Sequence, residues 1–483
     1  MKRLRVVALA GALAGITAAI GAAATGGSTG PSSSQSPYLV RAQAGVVFKS
    51  ILTTGDSVPR VGGGTYRMAG IPDGLGAFDN GDGTFTVLMN HELNGTVGIP
   101  RTHGGKGAFV SKWVIDKSNL SVVSGEDQIK TVNLWSNGAY QPAANVTFSR
   151  FCSADLPRLS ALYNAETGKG YDGRIFMDGE ENGAEGRAFA HVVADGSSWE
   201  LPGIGKFSFE NSLANWGTGD RTIVAATDDQ GGGRGQVYVY AGDKTTSGNA
   251  VQKAGLTGGA LYGIKVDGLP FEPAATGIPS GTHFSTYAFG DVSSWSGAQL
   301  ETQSNANAVT NFRRPEDGSW DPVDPNVFYF VTTDAFGGKS RLWRLNFADT
   351  SRPELGGTID MLLDGTEGQQ MLDNITVSQD GKIIMQEDVG GNAHIGKIWQ
   401  YDPASDVLTL LAQHDPDRFD PAAPVGGEPF LTLDEESSGI IDVTDILGSA
   451  GQNVFLWDVQ AHYNIPGELV QGGQLGLLYQ DLI

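Results

Sequence analysis

Cysteine is almost missing from this chain: Cys152 is the single one in 483 residues. No internal disulfide can form, so folding rests on packing or on bound ligands rather than on cross-links. A lone thiol is most often a small buried hydrophobe. Positive charge is also scarce. Lys plus Arg number 32 against 54 Asp plus Glu, a formal net charge of −22. That balance argues against a nucleic-acid backbone as partner and fits an exported protein or one that binds cations. Helical periodicity is rare, and past the first 24 residues no run is apolar enough to span a bilayer. HExxH and P-loop motifs are absent. The stretch DNGDGTF at 79–85 opens like a calcium-binding EF-hand loop but lacks the closing Glu, and reads as a hairpin turn.

What is present begins with a leader. MKRLR is basic, VVALAGALAGITAAIGAAA is weakly apolar and ends in small residues, and cleavage is expected near Ala22 to Ala24. Arg3 and Arg5 are separated by Leu4, so the start carries no twin-arginine pair. Residues 25–38 read as a flexible Gly/Ser linker. The remainder, 39–483, shows no internal boundary. Short β-rich runs recur between Gly-rich turns, among them FTVLMN, RIFMDG, QVYVYAG, VFYFVTT, RLWRLNF and NVFLWDVQ. The clearest unit is 379–413: the runs KIIMQED, KIWQYD and VLTLLAQ follow one another as the meander of a propeller blade. Gly at 69 residues supplies the turns this needs. The fold class expected is all-β, a single β-propeller of about six blades with long inter-strand insertions.

Acidic motifs sit at the expected strand ends: NHE with Glu92, GEENG with Glu180 and Glu181, FEN with Glu210, TDDQ, RPED with Glu316 and Asp317, LDN with Asp373, QED with Glu387, and DEESSG with Glu436. One such pair in a turn is ordinarily solvated surface. Many at strand ends converge on a propeller's channel, where like charges repel unless a cation neutralises them. Carboxylate oxygens suit calcium, whereas a thiolate suits a softer transition metal. Of the 7 histidines, His91 and His462 adjoin these motifs and the rest read as ordinary surface or core residues.

The order NHE, lone Cys, GEENG, Glu-Asn, DD followed by VYVY, RPED, LDN, EE before Gly, and VQAH resembles the PhoX family of secreted bacterial alkaline phosphatases over roughly residues 85–480. The resemblance implies a propeller whose channel holds iron and calcium and cleaves phosphate monoesters. It implies that Arg314 binds the substrate phosphate, that Cys152 ligates iron, and that Glu316 ligates metal. Glu181, Glu210 and Glu436 are further expected ligands, with Glu92, Glu180, Asp373 and Glu387 after them. The stretch ADLPRLSALYNAETGKGYDGR at 154–174, between Cys152 and GEENG, is longer than in that family and lacks its Gly/Trp-rich sequence after the cysteine, and the export signal differs from its twin-arginine type. On this reading Arg314 is extended because Pro315 follows it, and Arg313 is solvated. The partner expected is a small phosphorylated molecule, with no nucleic acid and no membrane after leader cleavage, in the periplasm or outside the cell. Two alternatives stay open: a calcium-stabilised propeller that binds a partner without turnover, and a phosphodiesterase or phytase.

Overall fold

A computed structural model describes residues 26–232, 234–422 and 428–482. The expected leader at 1–24 lies outside the described residues. Nearly every strand run named above is a strand here. The DNGDG turn joins Pro72–Asp79 to Thr84–His91. Gly81 and Gly83 take φ of 74° and 91°, a conformation that costs glycine little. The Asp79 and Asp82 carboxylates accept from the Gly81 and Thr84 backbone N–H groups at 2.9 and 3.0 Å, which makes this a polar hairpin turn.

The strands pair into six blades built mainly from antiparallel neighbours, while in blade 2 the strand Thr131–Ser136 joins Ser197–Glu200 in parallel. Blade 1 runs outward from Pro72–Asp79 through Thr84–His91 and Phe109–Asp116 to Val122–Asp127. Blade 2 contains Ile175–Gly179, Ala188–Val192 and Ser197–Glu200, with the earlier strands Thr131–Ser136 and Ala139–Ala143 outside them. Blade 3 is Phe209–Ala214, Arg221–Asp228, Val237–Asp243 and Ala260–Val266, and blade 4 is Pro315–Trp320, Val327–Thr332, Arg341–Phe347 and Gly357–Leu363. The strand Thr282–Gly290 joins these two along their outer edges, pairing Thr282 with Ile359. Blade 5 is Leu372–Val377, Ile383–Glu387, Lys397–Asp402 and Val407–His414.

Blade 6 closes the circle. Its strands Glu435–Asp442, Gln452–Ile465 and Val470–Asp481 come from the C-terminal end, and its outer strand Val46–Thr53 from the N-terminal end. The segment expected as a linker is docked. Gly27–Thr29 pairs in parallel with Phe48–Ser50, and Arg418 donates to Gln35 and Ser36 at 2.8 and 2.7 Å.

Each blade is covered on both faces by its neighbours, which is why its strands read as near-continuous apolar runs. Trp113 of blade 1 packs with Val454 and Leu456 of blade 6. Leu88 meets Phe148, Phe176 and Phe189 between blades 1 and 2. Val331 and Leu342 meet Ile375 and Met385 between blades 4 and 5. Each such side chain contributes about 1.5–3 kcal/mol when fully buried. This packing fixes the inner strands around the channel.

Candidate metal centre

The channel wall is built by one repeated irregularity. In blade 3, Phe209 pairs with Asp228 and Asn211 with Thr227, leaving one extra residue on the inner strand. Blades 1, 4, 5 and 6 have the same extra residue near the start of their inner strands, after Asp73, Pro315, Leu372 and Glu436. In blade 2 the innermost segment pairs Phe151 with Glu180 and Asp155 with Met177, again with one residue to spare. A β-bulge re-aims the side chains beside it. Here it occurs at one level in all six blades.

Register then gives equivalent positions. Pro72, Phe151, Phe209, Pro315, Leu372 and Glu435 pair with His91, Glu180, Asp228, Thr332, Glu387 and Ala461. The residues that follow the first set are Asp73, Cys152, Glu210, Glu316, Asp373 and Glu436, one from each blade. The residues that follow the second set are Glu92, Glu181, Asp229, Thr333, Asp388 and His462. The channel is thus lined by an inner ring of five carboxylates and a thiol, and by an adjoining ring of four carboxylates, a threonine and a histidine.

These side chains converge. Ligand atoms of Asp73, Glu92 and Cys152 lie within 4.8 Å of one another, as do those of Cys152, Glu181 and Glu210, and those of Glu210, Glu316 and Asp373. Cys152 and Glu210 each belong to two groups, so the three groups form one continuous patch. Cys152 Sγ donates to Glu181 at 3.0 Å, and Ser153 Oγ to Glu210 at 2.5 Å. Asn374 holds Ser153 at 2.7 Å. Gln460 Nε2 faces Asp73, Glu92 and Glu436 at 2.9, 2.9 and 3.2 Å. An amide nitrogen has two hydrogens for these three acceptors.

Burial pushes the carboxyls of Asp73, Glu210, Glu316, Asp373 and Glu436, and the Cys152 thiol, well above their ordinary ranges. Neighbouring carboxylates push each further: Glu92 acts on Asp73, Glu181 on Cys152 and Glu210, and Asp229 on Glu316. Glu181 is raised to about 7, mainly by burial. A patch in this state favours protons or cations. Its donors fit metal ions: the carboxylate oxygens match a hard cation, and the Cys152 end offers a thiolate to a softer one.

Two expected ligands lie outside the ring. Glu180 accepts from Arg187 at 2.6 and 3.0 Å and from the Ser149 N–H at 3.1 Å. Glu387 accepts from Trp399 at 2.8 Å and faces His394 at 2.9 Å. Both occupy the register position just before the adjoining ring, and side chains alternate along a strand, so they turn into the space between blades. Period 2 therefore selects Glu181 over Glu180, and Asp388 over Glu387. Asp73, Asp229, Asp388 and His462 complete the rings. Asp73 sits in IPDGLG, which reads as a turn rather than as a strand.

Four inner strands are entered through a left-handed residue two positions before the ring: Ile71, Arg150, Arg314 and Met371, with φ of 52°, 53°, 58° and 41°. Non-glycine residues pay roughly 1–3 kcal/mol for such backbone. Arg314 is thus left-handed, not extended, despite Pro315. Its Nε and Nη2 grip Asp229 at 2.9 and 2.7 Å, and Nη2 lies 3.3 Å from Glu316. Arg150 holds the same position in blade 2. Its Nε donates to Glu92 at 2.6 Å and its Nη2 pairs with Glu181. Nothing in the FSRFC stretch marks it, because Glu92 is 58 residues away in sequence. Arg313 is half-buried and paired rather than freely solvated: it clamps Asp334, and its backbone N–H donates to Glu272.

No family model and no curated protein matches this chain. Among solved structures it is similar to Pseudomonas fluorescens PhoX in complex with vanadate, a transition state analogue, with a TM-score of 0.55 and 12% identity over 91% of this chain and 95% of that one. The NanB sialidase of Streptococcus pneumoniae also aligns, with a TM-score of 0.33 and 10% identity over 90% and 70% of the two chains. The likeness to PhoX extends through the whole propeller and concerns the fold.

Proposed function

We propose that this chain is an exported, metal-dependent hydrolase of phosphate esters that works in the propeller channel. The observation that carries the reading is Arg314, a guanidinium fork that stands beside Glu316 of the carboxylate ring and is 26% exposed. The PhoX-like architecture and the three clustered ligand groups support it.

The residues divide the work. Asp73, Cys152, Glu210, Glu316, Asp373 and Glu436 would hold the cations, with calcium expected at the carboxylates and iron at Cys152. Bound cations supply Lewis acidity towards phosphoryl oxygens. Arg314 would exchange the Asp229 carboxylate for the substrate's phosphate, since the same Nε–Nη2 edge fits both oxyanions. Asp229 would then be free to join the ligand set. As negative charge grows on the phosphoryl oxygens, the fixed guanidinium stabilises it without rearrangement. Ser153, Asn374 and Gln460 keep the carboxylates oriented through the hydrogen bonds above. Among the described residues no helix is long and apolar enough to cross a membrane.

The test is turnover of p-nitrophenyl phosphate and of bis-p-nitrophenyl phosphate. Monoester hydrolysis is expected, with kcat reduced about 10²–10³-fold in Arg314→Ala and partly retained in Arg314→Lys. Preference for the diester would replace the monoesterase reading with a phosphodiesterase. No turnover of either would leave a cation-stabilised binding propeller.

A further inference from the structure

A second cluster of arginines lies apart from the channel, on the outer part of blade 1. A cavity of about 420 Å³ is lined by Arg60, Arg67 and Arg101, with Tyr66, Asp127 and Glu468. Asp127 ends the outermost strand of that blade, whereas Glu92 follows its second strand. In a chain of net charge −22, three arginines around one cavity leave one positive charge in excess over its two acids.

Arg101 is the centre of the site. Its side chain is 3% exposed and stacks on Phe109, with the guanidinium carbon 3.5 Å from the ring centroid. Its Nη1 stands 3.8 Å from Asp127 and 3.7 Å from Glu468, too far for a hydrogen bond. Its Nε and Nη2 have no hydrogen-bond partner among the described residues. Asp127 cannot turn to serve it, because its oxygens already accept from Tyr66 Oη at 2.6 Å and from Thr102 N and Oγ1 at 2.9 Å each. Two other buried arginines show what is missing. Arg341 donates through both Nη atoms to Glu272 and the Ala274 carbonyl, and Arg418 through both to Gln35 and Ser36, so among the described residues only their Nε lacks a hydrogen-bond partner. A buried cation with unmade hydrogen bonds is costly to maintain. In Arg314 of this same chain, the Nε–Nη2 edge grips a carboxylate with both donors.

We propose that this cavity is a binding site for a small oxyanion, a carboxylate or a phosphate, held by Arg101 from within and by Arg67 at the rim. Arg67 is 45% exposed and 4.0 Å from Glu468, free to turn towards an anion. Tyr66 lines the cavity, and Phe109, outside its lining, stacks on Arg101 and holds it in place. The site is separate from the proposed phosphate position at Arg314 and does not depend on it.

Calorimetric titration of the full chain with inorganic phosphate and with succinate tests this. The experiment uses wild type, Arg314→Ala, Arg67→Ala and Arg101→Lys. Saturable binding of at least one anion should persist in Arg314→Ala. It should weaken about tenfold or more in Arg67→Ala and in Arg101→Lys, because charge-assisted hydrogen bonds are lost. Arg67 is on the surface, so its variant separates binding from folding. Phosphate alone binding identifies a phosphoryl ligand, and succinate alone a carboxylate. The proposal is overturned if neither anion binds Arg314→Ala protein, or if binding is unchanged in both Arg67→Ala and Arg101→Lys.

Discussion

At the scale of single residues, burial decides which carboxyl groups keep their protons. Asp155 offers a clean case beside the ring. Its carboxylate accepts from the Ala214 N–H at 2.7 Å, yet burial raises it to about 7. Between the ordinary Asp range near ~4 and this value, the folded chain keeps a proton that the unfolded chain has lost. Its contribution to stability is therefore complete at low pH and disappears as pH rises through about 7. Asp155→Asn keeps the acceptor and removes the titration. Urea unfolding should show it level with wild type near pH 4, and more stable at pH 8 by on the order of 1–4 kcal/mol. An equal difference at both pH values would contradict the assignment. The residue types of the centre were legible in the sequence, since RPED, FEN, LDN and the EE pair all reach the ring. Which member of each pair faces inward was not, because alternation depends on register. Asp73 and Arg150 stayed hidden for different reasons: one is disguised as a turn, and the other's partners are distant in sequence.

At the scale of elements, the repeated bulge positions the site, and Gly74 shows how tightly. A Cβ added there would stand 2.5 Å from the Ala154 nitrogen and 2.6 Å from the Cys152 carbonyl oxygen. Both are backbone atoms and cannot swing aside. Gly74→Val should force the innermost segments of blades 1 and 2 apart between Asp73 and Cys152. The expected cost is roughly 1–3 kcal/mol, with weaker binding of added calcium. Gly391→Ala is the control, since its Cβ would meet only Asp434 Oδ1 at 3.8 Å. Calcium titration and denaturant unfolding of both variants check this, and equal behaviour would remove the bulge from the account. The strands themselves were readable from apolar runs and Gly-rich turns. The bulges were not, because an extra residue in a strand leaves no mark on composition and is seen only against its partner strand.

At the scale of the molecule, one strand from the N-terminal end completes the last blade. Phe48 on that strand is fully buried and meets Trp457 edge to face at 6.0 Å. Phe48→Ala should cost about 3–5 kcal/mol. Since closure ties every blade to its neighbours, calorimetry should still show one transition, shifted as a whole. Separate melting of blade 6 would show that closure is local. The propeller class was legible from the meander at 379–413. The docking of residues 26–38 was not, because its Gly, Ser and Pro composition is that of a linker and, beyond its pairing with Phe48–Ser50, its partners Arg418 and Gln474 lie hundreds of residues away.

The most direct test of the central claim is metal analysis and p-nitrophenyl phosphate turnover on one sample purified without chelator. Glu210 belongs to two of the three ligand groups, so Glu210→Ala should lose both bound cations and turnover. Chelation should lower the melting temperature of wild type, because a cation at 100 times its Kd stabilises the folded state by about 2.7 kcal/mol. Protein that is free of metal, that melts alike with calcium and with chelator, and whose turnover survives Glu210→Ala would contradict the claim that the ring is a cation-loaded hydrolytic centre.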